Sequence, residues 1–171
     1  PSKTQGSFNI SALATLRLFA DINVYNLTKS NSFKIEDLND QKTAIFIILP
    51  DYNTTYYGVA SLFVDQIYTK LADVADLQGG RLKRRVNFIL DEFGNFAVIP
   101  DFATKLTVAG GRGIRFNLFL QSTAQLESDS KKVKYGKEGA RTIVGNCEYW
   151  IFLSSDLDTR KMISEEIGDY T

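Results

Sequence analysis

Val86-Asn-Phe-Ile-Leu90 runs directly into Asp91-Glu92-Phe93-Gly94-Asn95. A short apolar run that stops at two acids reads as a buried strand whose carboxyl end reaches the surface. Three further stretches share that form. Thr43-Ala-Ile-Phe-Ile-Ile-Leu49 stops at Pro50-Asp51, Ile114 to Leu120 stops at Gln121-Ser122-Thr123, and Cys147-Glu-Tyr-Trp-Ile-Phe-Leu153 stops at Ser154-Ser155-Asp156. Helical patterns separate them. Ala60, Phe63, Val64, Ile67, Leu71 and Val74 fall at spacings of three and four, predicting a helix from Thr54 or Thr55 to about Leu77, ended by Gly79-Gly80. Pro100 suits the first position of a helix over Asp101–Val108, which Gly110-Gly111-Arg112-Gly113 should break. Shorter helical pieces fit Ala124–Asp129 and Glu138–Val144, and Asp156 or Asp158 caps a last helix to Ile167, ended by Gly168. Alternating strands and helices imply an α/β fold with right-handed crossovers and a mostly parallel sheet covered on both faces. In such sheets ligands sit beyond the carboxyl ends of the strands.

The amino-terminal quarter is less regular. Residues 1–8 form a polar lead-in, and Asn9 or Ser11 could cap a helix over Ser11–Asp21 with Leu13, Leu16, Leu18 and Phe19 on its apolar face. Asn23 to Asp40 reads as a short helix followed by a loop.

Composition narrows the chemistry. The 171 residues are 44% hydrophobic and 23% charged, which is ordinary for a globular chain. Twenty Lys and Arg balance twenty Asp and Glu, so no whole-chain basic field draws the molecule to nucleic acid or membrane. The absence of histidine excludes Ser-His-Asp and Cys-His catalysis, His-ligated zinc and an imidazole switch. The single cysteine, Cys147, excludes an intrachain disulfide and a multi-thiolate metal site. The longest apolar run, Ala44 to Leu49, is far short of the ~20 residues of a membrane span, and no signal peptide is visible. Pro1 without a methionine suggests an excised fragment, with methionine trimming before proline as an equally plain explanation.

What remains is chemistry by carboxylates, amides, hydroxyls, Lys and Arg. Asp91 and Glu92 together resemble a Walker B element. A magnesium–nucleotide complex wants hard oxygen ligands on a rigid support, and an apolar strand fixes Asp91 for the metal. The backbone turns at the strand end, so Glu92 can reach and polarise an attacking water. The plainer alternative is a buried strand that simply ends in acids, and Asn87 interrupts the usual apolar run. Gln121 ends the next strand, where an amide can bond both the water and a γ-phosphate; the alternative is a strand-terminal cap bonded to backbone. Gly110-Gly111-Arg112-Gly113 is not a phosphate loop, because it precedes a strand and no Gly-Lys-Ser/Thr occurs in the chain. Arg112, or less favourably Arg115, could instead project from the far edge into a neighbouring subunit's nucleotide site. Arg81, Lys83, Arg84 and Arg85, and separately Lys131, Lys132, Lys134 and Lys137, form basic loops. Such loops are usually solvated, but could contact DNA phosphates without reading sequence. Tyr52, Tyr56, Tyr57 and Tyr135 could stack on bases, although packing is the commoner role.

The motifs in order are Leu18-Phe19-Ala20-Asp21, Lys42 to Asp51, Asp91 to Asn95 with Ile99-Pro100, Gly113-Ile114-Arg115-Phe116, Gln121-Ser122 with Gln125-Leu126, Asn146-Cys147, Ser155-Asp156 with Thr159, Ile163-Ser164, Gly168 and Thr171. This set resembles the TraG-like coupling proteins of type IV secretion systems, the ATPases of conjugative DNA transfer. The resemblance implies a RecA-like three-layer αβα motor, with residues 1–40 as the end of a helical insertion and return linker and residues 41–171 as the Walker B half. It implies ATP and magnesium as cofactors of the full-length protein, with Asp91 as magnesium ligand and nucleotide-binding residue, Glu92 as catalytic carboxylate and Gln121 as sensor amide. It also implies a hexamer anchored at the cytoplasmic face of the membrane, with a relaxase–DNA complex and secretion-channel proteins as partners. The family's Walker A loop and membrane anchor have no counterpart in these residues, and a commonly found arginine is Gly110 here, which weakens the role given to Arg112. The chain by itself is therefore expected to be soluble, to bind ATP poorly and to be inactive. Two other readings fit the residues: a non-hydrolysing domain of the same fold that docks relaxase or channel proteins, and a magnesium-dependent nuclease or phosphatase using Asp51, Asp91 and Asp156.

Overall fold

Val86–Leu90 forms β1 and Ile114–Leu118 forms β2. They pair in parallel, with Val86 opposite Ile114 and Leu90 opposite Leu118, as the two apolar runs predict. The connection between them carries a helix, Phe102–Arg112 (α4), which is what a parallel pair requires. The computed structural model describes residues 16–50, 55–129, 132–153 and 157–168. The long helix α3, Thr55–Leu77, follows the expected span and buries Tyr57, Ala60, Val64, Ile67, Leu71 and Val74. It is preceded by two short helices, α1 at Ile22–Thr28 and α2 at Asp37–Asp40. After β2 come α5 (Ala124–Glu127), a small antiparallel hairpin of β3 (Ser128–Asp129) and β4 (Lys132–Val133), α6 (Gly136–Gly145) and α7 (Leu157–Ile167). The chain divides into a unit ending at Lys34 and a larger one beginning at Ile35.

In the larger unit, aromatic rings join the sheet to its helices. Phe116 on β2 stacks on Phe88 of β1 at 4.7 Å, meets Tyr68 of α3 at 5.9 Å, and receives Phe102 of α4 edge-on at 5.2 Å. Phe93, Ile99, Leu126 and Ile143 complete the core and are almost fully buried. The opposite face differs from expectation. Asn87, Ile89, Arg115 and Asn117 are exposed, so among the described residues helices cover only one face of the β1–β2 pair.

That one-sidedness accounts for two strands that the sequence predicts and the structure does not pair. Thr43–Leu49 runs without a ladder, and exposure alternates along it: Ile45 37%, Phe46 88%, Ile47 47%, Ile48 93%. A space of about 1050 Å³ separates it from β1, lined by Ile45, Ile47, Leu49, Val64, Phe88 and Leu90. Tyr149–Leu153 behaves alike, with all five residues exposed but Trp150 (43%) and Phe152 (42%) less so than Tyr149, Ile151 and Leu153. Both are two-sided apolar runs, and the described residues offer burial to one side only.

Local corrections have local causes. Gly110 and Gly111 do not break α4, which continues to Arg112 and stops at Gly113 in a left-handed turn (φ 82°). Asp101, expected inside that helix, precedes it at φ 52°. Of the segment expected as a helix over Ser11–Asp21, residues 11–15 lie outside the described residues. Its described end is a 3-10 turn, Arg17–Ala20, after which Asp21 caps α1 by accepting from the Asn23 and Val24 amides. The ends of two expected strands, Asp51 and Ser154 to Asp156, also lie outside the described residues, as do Tyr52 and Lys131.

Candidate functional site

The parallel register puts the carboxyl ends of β1 and β2 on one rim, and three predicted residues meet there. Phe119 N–H donates to Leu90 O (3.1 Å) and Phe93 N–H donates to Phe119 O (2.9 Å), so the pairing continues past both strands and fixes the chain on either side of Asp91 and Glu92. Between those bonds the backbone bends sharply. Glu92 takes a left-handed conformation, φ 50° and ψ 41°, which costs a residue with a Cβ about 1 kcal/mol or more. Its amide donates to Asp91 Oδ1 at 3.1 Å. The bend turns Glu92 towards β2, where Gln121 Nε2 donates to both carboxylate oxygens at 3.2 and 3.1 Å. Asp91 is exposed beside this pair, and Glu92 is half-buried.

The rim can supply one or two carboxylates, an amide and open access for solvent. That donor set suits a hard divalent cation that keeps most of its waters, such as magnesium, rather than an all-protein cage. Among the described residues, no three or more acidic or thiol side chains converge. The nuclease reading cannot be placed, because Asp51 and Asp156 lie outside the described residues.

Arg112 lies elsewhere. It ends α4 just before β2, at the opposite rim, and grips Asp76 of α3 with Nε and Nη2 at 3.1 to 3.3 Å. Five strand residues at ~3.3 Å each place it on the order of 16 Å from the Asp91 rim. The first basic cluster is at that far rim too. Lys83 pairs with Asp40 at 2.9 Å and Arg84 Nε donates to Asp40 O at 3.1 Å. In the second cluster, Lys134 turns inward and donates to Gly94 O, next to Glu92. Two of the candidate stacking tyrosines pack in the core: Tyr57 sits edge-on to Phe96, and Tyr135 lies against Phe93 and Phe102. Tyr135 Oη accepts from the Ile99 amide, and burial raises its pKa above the usual tyrosine value. Burial likewise raises the Cys147 thiol, whose Sγ donates to Ile143 O.

Sequence reading gave no role to the residues that hold this rim together. Gln125 Oε1 accepts from the backbone amides of Gln121 (3.1 Å) and Ser122 (3.4 Å). Thr159 of α7 is buried with its hydroxyl 3.4 Å from that of Thr123. The Gln121-to-Gln125 spacing was the available signal, since a residue four along reaches back over a helix's first turn.

The chain is similar to Protein VirD4 of Agrobacterium fabrum, 27% identical over 158 residues, which is 91% of the chain but 23% of that protein. It is 28% identical over 154 residues to the conjugal transfer protein TraG of Escherichia coli, covering 86% of the chain and 24% of TraG. It is 29% identical over 154 residues to the type IV secretion system-coupling protein VirD4 of Bartonella quintana, covering 87% of the chain and 22% of that protein. The chain thus spans less than a quarter of the curated relatives it matches. No helix among the described residues is long and apolar enough to cross a membrane. Residues 1–171 match throughout the family described as type IV secretory system conjugative DNA transfer, and the chain belongs to that family.

Proposed function

We propose that this chain is the Walker B portion of an ATP-driven coupling protein that recruits a relaxase–DNA complex and powers transfer of single-stranded DNA through a type IV secretion system. The observation that carries the reading is the contact of Gln121 with both oxygens of Glu92 on the rim where Asp91 emerges. Magnesium, held by Asp91, would neutralise charge on the phosphates of bound ATP. Glu92 orients the attacking water and takes its proton. Gln121, already within hydrogen-bond reach of Glu92, holds the carboxylate in register and is placed to exchange that contact for a γ-phosphate oxygen. The half-open αβ layer belongs to a RecA-like three-layer motor whose remaining layer and Walker A loop come from outside residues 1–171. In a hexamer at the cytoplasmic face of the membrane, Arg112 lies on the edge that faces a neighbouring subunit and would have to leave Asp76 to act there. The basic loops would meet DNA through its phosphates.

The test is Glu92→Gln in the full-length protein. Hydrolysis should fall about a hundredfold or more while nucleotide binding persists, and DNA transfer should be lost. Unchanged transfer with this variant would instead favour a docking domain that does not hydrolyse ATP.

A further inference from the structure

Gly94 and Gln125 face each other across the rim in a contact that only glycine permits. Gly94 is buried, and a Cβ added to it would overlap the Gln125 carboxamide, with even the farthest of its three nearest atoms, Nε2, only 2.8 Å away. Gly94 does not need glycine for its backbone, because its φ is not among the positive ones. Its small size therefore serves the approach of Gln125. Seated there, Gln125 Oε1 accepts from the Gln121 and Ser122 amides, so one side chain spans from the turn after β1 to the turn after β2. Lys134 holds the same Gly94 from its carbonyl side. The two turns gripped in this way carry Glu92 and Gln121.

We propose that Gln125 is a positioning residue that sets the separation of Glu92 and Gln121, with Gly94 as the seat that makes the setting possible. The proposal rests on the reading of Glu92 and Gln121 as one catalytic unit. Gln125 itself touches neither nucleotide nor water. It acts by removing the freedom of the β2 turn to drift from the β1 turn, and misplacement by about 1 Å is enough to cost up to a hundredfold in rate.

The variants separate this role from mere structural support. In the full-length protein, Gln125→Ala should lower kcat for ATP hydrolysis about tenfold to a hundredfold and leave KM within about twofold. Gln125→Glu keeps an acceptor oxygen and should restore most of the rate. Gly94→Ala should mimic Gln125→Ala, because the new methyl expels the flexible carboxamide rather than the backbone. The double variant Gly94→Ala/Gln125→Ala should be no worse than either single one, since the clash has gone with its partner. Rates that multiply in the double variant, or wild-type kcat in Gln125→Ala, would overturn the proposal. A second readout does not depend on hydrolysis. In the full-length protein, Gln125→Ala should shift the backbone and side-chain amide resonances of Gln121, and Gln125→Glu should shift them less. If the full-length protein hydrolyses no ATP, the catalytic reading fails while these resonances still decide the clamp, and unmoved Gln121 signals would refute it.

Discussion

Asn39→Ala should destabilise the larger unit more than any other polar truncation among the described residues. Asn39 is 1% exposed and works in three directions. Its Nδ2 donates to Asp40 Oδ1 and to Gln78 Oε1, each at 3.2 Å, and its Oδ1 accepts from the Lys83 amide at 2.8 Å. One side chain thus ties α2 to the end of α3 and to the lead-in of β1, which aims that strand and its terminal acids. Alanine removes all three bonds and leaves the Lys83 amide without its acceptor. At ~1 kcal/mol for each net bond, the loss is about 2 to 3 kcal/mol. For a domain of this size, each kcal/mol moves Tm by ~2–4 °C, so the midpoint should drop by roughly 4–12 °C. Thermal and urea unfolding followed by circular dichroism would read it. Asn39→Asp is the sharper control. It keeps the acceptor for Lys83 but loses both donors and sets a carboxylate against that of Asp40, so it should be at least as damaging. An unchanged midpoint in Asn39→Ala, or an Asn39→Asp protein as stable as wild type, would refute the reasoning.

The two ends of the α4 glycine run should respond in opposite directions. Gly110 and Gly111 are helical with open space where a Cβ would stand, so alanine at either should raise stability by about 0.5–1 kcal/mol. Gly113 holds φ 82°, so Gly113→Ala should lower it by about 1 kcal/mol or more; chemical denaturation of the three variants would reveal any common sign and so contradict this. Cys147, its thiol pKa raised by burial, carries little thiolate near neutral pH. Its reaction with a disulfide reagent at pH 7 should be slower than that of a free cysteine peptide and should accelerate only at higher pH; a rate equal to the peptide's would contradict the burial.

Local physics made part of this molecule legible in its sequence. The spacing of Ala60, Val64, Ile67 and Leu71 foretold α3, since a helix carries its own hydrogen bonds and needs only one apolar stripe. Val86–Leu90 and Ile114–Leu118 announced themselves by apolar runs bounded by polar residues, and their parallel pairing put Asp91, Glu92 and Gln121 on one rim. Thr43–Leu49 and Cys147–Leu153 carry equally clear strand patterns, yet a strand's bonds belong to its neighbour. Whether such a run pairs depends on what lies beside and above it, which a linear pattern does not contain. The reach of α4 through Gly110-Gly111 was hidden for a related reason: packing of the helix on β2 and α6 outweighs the glycine penalty. Gln125 was legible as part of the Gln121-Ser122 and Gln125-Leu126 motif but not in its role, because its partner, Gly94, is thirty-one positions earlier and the side chain's meaning arises only from that contact. Arg112 was legible as a rim arginine, whereas its grip on Asp76 required the packing of α4 beside α3.

The most direct test of the central claim is an experimental structure of the full-length protein with magnesium, ADP and a metal-fluoride mimic of the γ-phosphoryl group. The account predicts the metal facing Asp91, the attacking water against Glu92, and the Gln121 amide between that water and the mimic. A nucleotide bound away from the carboxyl ends of β1 and β2, with the Glu92–Gln121 contact unchanged and remote from it, would contradict it.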